Sequence, residues 1–374
     1  MNLKTYRITL TTIAPVFVGN GKKYEKNEYL KLPDNKLGIL NINKMLNVLY
    51  EYKQRDAFEK FMMDSRGNLD EWLKTAKFNK VNIREEIIKN CVEYTIENIA
   101  DKDNKRQIMS AVKDAYGNPY IPGSSLKGAL RSVLATYKIA TDDRLRERIA
   151  ADIKNSARED KPGKNFLSGA AERAEIKIFH TLKRENTKPE DAVNDIMQGF
   201  IVGDSSPISR ENLISAQKID RHTDGAENPL PIVRESIRPN TKIEFLLTVD
   251  ESICGYTIKD ILKAVDKFDE LYNENFLKKF KGMDILRPDK PQIFIGGGAG
   301  FVSKTLVYPI LGYKEGLNSA VEIFNKTLSK KIKEKHKHFK DKGLGVSPHT
   351  LKCTNYDGQT LQMGLCEFQI DEVN

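Results

Sequence analysis

The chain has 374 residues, of which 39% are hydrophobic and 30% charged, and its formal net charge is +9. That length suffices for two cores, and a mixture with 16 Phe and 14 Tyr is too apolar for a disordered chain and too irregular for a fibrous one. No stretch approaches the ~18 uncharged apolar residues of a membrane span, and the start, Met1-Asn2-Leu3-Lys4, has no signal-peptide pattern. Four dispersed cysteines (Cys91, Cys254, Cys353, Cys366) form no CxxC pair, so free thiols, a cytoplasmic location and no membrane partner are expected.

The basic charge is clustered. Residues 127–188 hold 15 basic and 9 acidic side chains, and residues 329–342 hold 7 and 2. A solvated helix face explains either cluster alone; both flank Gly-rich turns, which favours a polyanionic partner.

In chain order, Tyr6, Ile8 and Leu10 alternate with Arg7, Thr9 and Thr11, the period of a half-buried strand ending at Pro15. Pro15-Val-Phe-Val-Gly-Asn-Gly-Lys-Lys then reads as a turn in which Gly19 and Gly21 expose backbone N–H groups beside Lys22 and Lys23. Residues 29–32 and 37–40 flank Pro33-Asp34-Asn35-Lys36 as a hairpin, and residues 41–78 take helical spacing through Met45, Leu49, Phe58 and Met62. Ile121-Pro-Gly-Ser-Ser opens a helix capped by Ser124 or Ser125, with Leu126, Leu130, Val133 and Leu134 on one face and Lys127, Arg131 and Lys138 on another. The charged stretch 142–188, broken by Lys161-Pro-Gly-Lys164, reads as mobile or ordered by a partner. Strand alternation returns over 243–249, followed by a helix from about Thr257, a strand over 292–295, the loop Gly296-Gly-Gly-Ala-Gly300, a helix over 321–339 stopped by Gly343, and a strand over 361–370. Strands and helices without regular alternation predict an α+β fold, most simply two ferredoxin-like units. The first, 1–250, would carry a helical insertion over about 41–115 and a charged one over about 142–198; the second is 251–374.

Few residues offer chemistry. The Gly-rich loop ends in Lys304-Thr305, but Ser303 stands where a nucleotide-binding P-loop needs Gly, and Pro309 leaves little room for the following helix. Phe301 and Val302 loosely match an RNA-binding aromatic strand, yet Ala299 occupies its second aromatic position; a structural glycine turn is the alternative. His336-x-His338 with His349 and Cys353 is the one hint of a metal, in lysine-rich surroundings that repel cations and on opposite sides of a helix. His222 and His180 are the candidates for a metal-independent endoribonuclease, the alternative function, and neither has an evident partner. Asp204-Ser-Ser-Pro reads as an Asx turn. No cofactor, metal or catalytic set is expected.

Pro15-Val-Phe-Val-Gly-Asn-Gly, Ile121-Pro-Gly-Ser-Ser-Leu-Lys-Gly-Ala-Leu-Arg131, Gly203-Asp-Ser-Ser-Pro-Ile-Ser209 and Gly296-Gly-Gly-Ala-Gly, in that order, resemble the motifs of the RAMP superfamily of CRISPR-associated RNA-binding proteins. Residues 22–29, the loop running to Lys304-Thr305, and Ser347-Pro-His-Thr-Leu-Lys352 with Gly364-x-Cys366 are similar to the type III-A (Csm complex) subunit that caps the crRNA 3′ end. The resemblance implies RRM-like (RAMP) domains, a filament-end position and support of crRNA 3′ maturation in antiviral defence. It implies crRNA, the backbone RAMP subunit, the small helical subunit and a host ribonuclease as partners. The early turn carries no Asp where the backbone subunit has its nuclease Asp, and no histidine precedes His180, so a binder rather than an enzyme is implied. The RNA-binding candidates are Gly19, Gly21, Lys22, Lys23, Gly123, Ser124, Ser125, Lys127, Arg131, Arg234, Arg238, Gly296, Gly297, Gly298 and Lys304.

Overall fold

The computed structural model describes residues 3–63, 68–78, 81–100, 107–283 and 289–373. The alternation at the start becomes the strand Leu3–Thr12, which buries Tyr6, Ile8, Leu10 and Thr12. It is the centre of a five-stranded antiparallel sheet in the order Gln292–Phe294, Leu365–Glu372, Leu3–Thr12, Lys242–Asp250, Phe200–Val202. Ile8 lies opposite Phe245 on one side and Ile370 on the other, so the apolar period of two is continued across three strands. The helices Gly123–Thr141 and Ile258–Asn275 pack together, burying Leu126, Leu130, Val133 and Leu134 on one and Ile261, Val265 and Phe268 on the other. Thr257 and Asp260 form a capping box at the start of the second, as the sequence placed it. Strands from both sides of the expected 250/251 boundary thus interleave in one sheet.

A second, nine-stranded sheet runs Gly19–Tyr24, Ile108–Ala111, Glu227–Ile237, Leu213–His222, Val92–Asn98, Lys36–Leu40, Tyr29–Leu32, with Thr350–Tyr356 paired to the end of Leu213–His222 and carrying Gln359–Gln362. Residues 13–18 stitch the sheets together. The amides of Ile13 and Ala14 donate to Leu365 O at 3.0 and 3.1 Å, Val16 bridges to Ile237, and Pro15 O accepts from Gly364 N at 3.0 Å.

Between hairpin and sheet, the helices Ile42–Glu51, Arg55–Met63, Leu69–Thr75 and Ile83–Cys91 build a lobe with its own core of Met45, Leu49, Phe58, Leu69, Leu73, Ile83 and Ile87 against Leu30 and Leu40 of the hairpin. Past Cys91 the insertion drawn to 115 ceases to be helical: Val92–Asn98 and Ile108–Ala111 are strands of the second sheet.

The charged stretch is a correction. Asp143–Glu159 and Ser168–Phe179 are helices, packed through Ile149, Ala170, Ala174, Ile178 and Phe179. Asp152 takes Arg173 at 2.8 Å and Lys177 at 2.7 Å across the pair, and those hydrogen bonds hold its carboxyl at about 2. One apolar contact per turn is enough when the facing helix offers alanines, and composition alone hides that geometry. Three further expectations shift. The 321–339 helix is Val307–Thr327, which tolerates Pro309 in its first turn and kinks at Gly312, followed by Lys330–His336; the left-handed stop is Gly345 rather than Gly343. The last strand breaks at Gly364, φ +85°, into Gln359–Gln362 and Leu365–Glu372, one in each sheet.

Candidate nucleic-acid interface

Where the two sheets are stitched, a cleft of about 350 Å³ opens, lined by Val18, Gly19, Ser124, Ser125, Gly128, Ala129, Ser132, Phe294, Gly296, Gly297, Ser303 and Lys304. Three motifs separated by more than a hundred residues each therefore meet. Each glycine has its own reason to be there. A Cβ on Gly296, φ +78°, would stand 2.3 Å from the Phe17 carbonyl, to which Gly297 N donates at 2.6 Å; a Cβ on Gly19 would enter the Phe17 ring at 2.6 Å. The loop is seated on the 13–19 crossing by its backbone, which leaves a smooth, small-residue wall. The opposite wall is the small face of the Gly123–Thr141 helix, where Ser124, Gly128 and Ser132 recur every four residues. Gly128, Ala129 and Ser132 were not among the sequence candidates, although that spacing was there to be read.

Lys304 lines this cleft, and Arg234 lies near it. Lys304 Nζ reaches Gly296 O at 2.6 Å, and burial followed by the nearby Arg234 guanidinium pushes its pKa down. Arg234 is only 9% exposed, and its Nε and Nη1 have no hydrogen-bond partner among the described residues. Its guanidinium lies 5.5 Å from the Phe17 ring centre and directly under the loop, since a Cβ on Gly298 would stand 2.7 Å from Nη1. The adjacent Glu235 gives no relief. Strand alternation sends it to the other face, where Lys113 at 2.5 Å, Tyr94 Oη at 2.6 Å and Ala111 N at 2.9 Å use its carboxylate. Two neighbouring cations, one buried and unpaired, under bare backbone, form a receptor for an anion.

The other candidates go elsewhere. The helix start at Ile121–Ser125 has no side-chain N-cap from serine: Asp204 Oδ1 accepts from Gly123 N at 2.8 Å, and Ser205 Oγ accepts from Ile121 N at 2.9 Å. Asp204 is thus a cap in trans rather than an Asx turn, and it occupies the end expected to hold phosphate. Gly123 is required by close approach, with a Cβ only 2.4 Å from Val202 O. Arg131 is held between Glu175 at 2.6 Å and Asp195 at 2.7 Å over the Phe179 ring, and burial lowers the Lys127 pKa beside it. Lys22 and Lys23 lie exposed on the strand Gly19–Tyr24, Lys23 3.3 Å from Glu25; Gly21 has φ +81°. Arg238 pairs with Glu97 at 2.6 Å. His180 is tied to Pro189 O at 3.0 Å, whereas His222 stacks on His349 at 5.5 Å, so the two nuclease candidates lie apart, and neither lines the cleft. No helix among the described residues is long and apolar enough to cross a membrane.

Known proteins resemble the chain over most of its length. Proteins described as CRISPR system Cms protein Csm5 are 29% identical in Streptococcus thermophilus, over 81% of this chain and 80% of that one, and 27% identical in Mycobacterium tuberculosis, over 98% of each. The crystal structure of T. onnurineus Csm5 superposes with a TM-score of 0.62 at 19% identity, over 96% of this chain and 99% of that one. A chain of the cryo-EM structure of a Csm-crRNA-target RNA ternary complex in a type III-A CRISPR-Cas system gives the same TM-score and identity over 97% and 100%. The model of the RAMP superfamily matches residues 9–303, which takes in the seam, the capped helix and the Gly-rich loop, and the chain belongs to that superfamily.

Proposed function

We propose that this protein is the crRNA-binding subunit of a type III-A CRISPR effector complex, placed at the 3′ end of the crRNA, where it caps the filament and supports 3′ maturation and antiviral defence. The observation that carries the reading is the buried Arg234, whose Nε and Nη1 have no partner among the described residues, lying beneath Gly298 and close to Lys304, which lines a cleft walled by small residues. A sugar-phosphate chain supplies the missing anion and needs the smooth walls. The resemblance to Csm5 proteins and to a chain of a Csm-crRNA-target RNA complex supports the same assignment.

The finer architecture fits. Leu3–Thr12, Gly123–Thr141, Phe200–Val202, Lys242–Asp250, Ile258–Asn275 and Gln292–Phe294 follow one another as strand, helix, strand, strand, helix, strand, the ferredoxin-like order, with Leu365–Glu372 intercalated in the sheet. In this reading the partners are the backbone RAMP subunit, the small helical subunit and a host ribonuclease, and the chain itself is no enzyme. The test is purification of the tagged protein from its host, with mass spectrometry of co-purifying proteins and sequencing of bound RNA. CRISPR-repeat RNA with protected 3′ ends, with Csm subunits, is expected; RNA-free protein or a random RNA population overturns the proposal.

A further inference from the structure

Four of the five histidines gather from three segments on the side of the second sheet where Thr350–Tyr356 meets Leu213–His222. At their centre is Asp341, which is 0% exposed. Its Oδ2 lies 2.9 Å from His338 Nδ1 and its Oδ1 2.6 Å from His349 Nδ1, while Ser347 Oγ donates to Oδ2 at 2.7 Å. The sequence argument that His336 and His338 face opposite sides of a helix fails, because the helix ends at His336 and Lys337 turns the chain at φ +53°. Their rings consequently lie parallel, 5.8 Å apart.

We propose that His338, Asp341 and His349 form a binding site for a divalent transition-metal ion of the zinc class. Imidazole donors select such ions over magnesium or calcium, and two histidines with one carboxylate are a known zinc-type set. One ligand atom of each residue lies within 4.8 Å of the other two. Zinc bonds of roughly 2.0–2.2 Å bring tetrahedral ligands to about 3.3–3.5 Å, so ring rotations of about an ångström complete the set. The ligand rings are already steered: His338 stacks on Phe324 at 4.3 Å and His349 on His222 at 5.5 Å.

Charge also asks for an ion. Asp341 is fully buried, and its carboxylate oxygens meet His338, His349 and Ser347. Its ion-pair partners among the described residues are the two imidazoles. A metal ion among these groups would place a positive charge beside that buried carboxylate. The nearby Lys352 does not oppose it strongly, since its ammonium is paired with Asp220 at 2.8 Å.

The experiment uses the full-length protein with no polyhistidine tag. Metal content by mass spectrometry, cobalt titration followed by visible absorption, and melting with and without EDTA are compared for the natural protein and for His349→Gln, His338→Gln, Asp341→Asn and His180→Gln. About one equivalent of zinc or cobalt is expected, with an EDTA-sensitive Tm; His338→Gln and His349→Gln should weaken binding by about tenfold or more, and His180→Gln should leave it unchanged. Should Asp341→Asn fail to fold, the two histidine variants decide. Absence of bound metal in protein that still binds RNA, or equal binding by His349→Gln, overturns the proposal and makes the cluster a proton-linked structural network. RNA binding at the cleft is a separate readout, so failure of one reading leaves the other intact.

Discussion

Replacing Arg234 by glutamine separates the two roles a buried arginine can have. In the free protein the guanidinium is nine-tenths buried with Nε and Nη1 unpartnered, and it repels Lys304. An unpaired buried donor costs about 1–3 kcal/mol, whereas the contact over Phe17 returns about 0.5–1 kcal/mol. Arg234→Gln should therefore leave the free protein as stable as before or up to about 2 kcal/mol more stable. Binding should move the other way. A charge-assisted hydrogen bond to phosphate contributes about 1.5–3 kcal/mol, so the Kd for crRNA should rise roughly 10- to 150-fold. The log-log salt slope should flatten by about 0.7, which is about 2.6-fold less affinity lost between 50 and 200 mM salt. Thermal melting and fluorescence anisotropy with labelled crRNA at three salt concentrations read both quantities. A Tm that falls by several degrees with affinity and salt slope unchanged would refute the reasoning and make Arg234 a packing residue.

Gly296→Ala should cost about 2 kcal/mol and most of the RNA affinity, because it adds left-handed strain at φ +78° to a backbone clash of 2.3 Å, while Gly297→Ala, which meets only the Phe17 ring at 3.2 Å, should be milder; the reverse order of melting temperatures would sink this account. Arg131→Ala should lower stability by about 1–3 kcal/mol, by stranding Glu175 and Asp195, with no change in the RNA salt slope, the opposite of what the helix face suggested from sequence; a slope that flattens as for Arg234→Gln would return Arg131 to the RNA. Burial and then Asp266 push the Asp269 pKa from 3.8 to about 6, so between those pH values the folded chain keeps a proton that the unfolded chain has lost, and stability falls as pH rises through the window. Asp269→Asn should accordingly raise the Tm at pH 7.5 and leave it unchanged at pH 3.5; equal shifts at both would contradict the assignment.

Much of the fold was legible because period and punctuation are local. The Tyr6-Ile8-Leu10 alternation, the 29–40 hairpin and the helix start at Thr257 each depend on residues within a few positions, and each formed as read. Convergence was legible in part: Gly19, Ser124, Ser125, Gly296, Gly297 and Lys304 line one cleft. What sequence could not weigh was the competition for each charge. Arg131 and Arg234 look alike in a string, yet one meets two carboxylates and the other none among the described residues, and the difference is made by Glu175, Asp195 and the side of a strand on which Glu235 falls. Asp204 reaching Gly123 from 81 residues away is the same lesson at a helix end.

The position of the cleft follows from the chain's first crossing between the sheets. Residues 13–18 leave the first sheet after Thr12 and enter the second at Gly19, so their amides and carbonyls are shared between Leu365, Gly364, Ile237 and Gly297. A loop can dock there without breaking a ladder, and only glycines come close enough to do so. The lining that results is two serine–glycine surfaces with cations behind them; Phe294, the aromatic ring among the lining residues, is only 6% exposed. Such a wall has phosphate and ribose to grip and no face on which to stack a base. If the cleft holds crRNA as proposed, recognition of the RNA backbone with indifference to its sequence follows from the seam, and it suits a subunit that must accept every spacer a guide RNA carries.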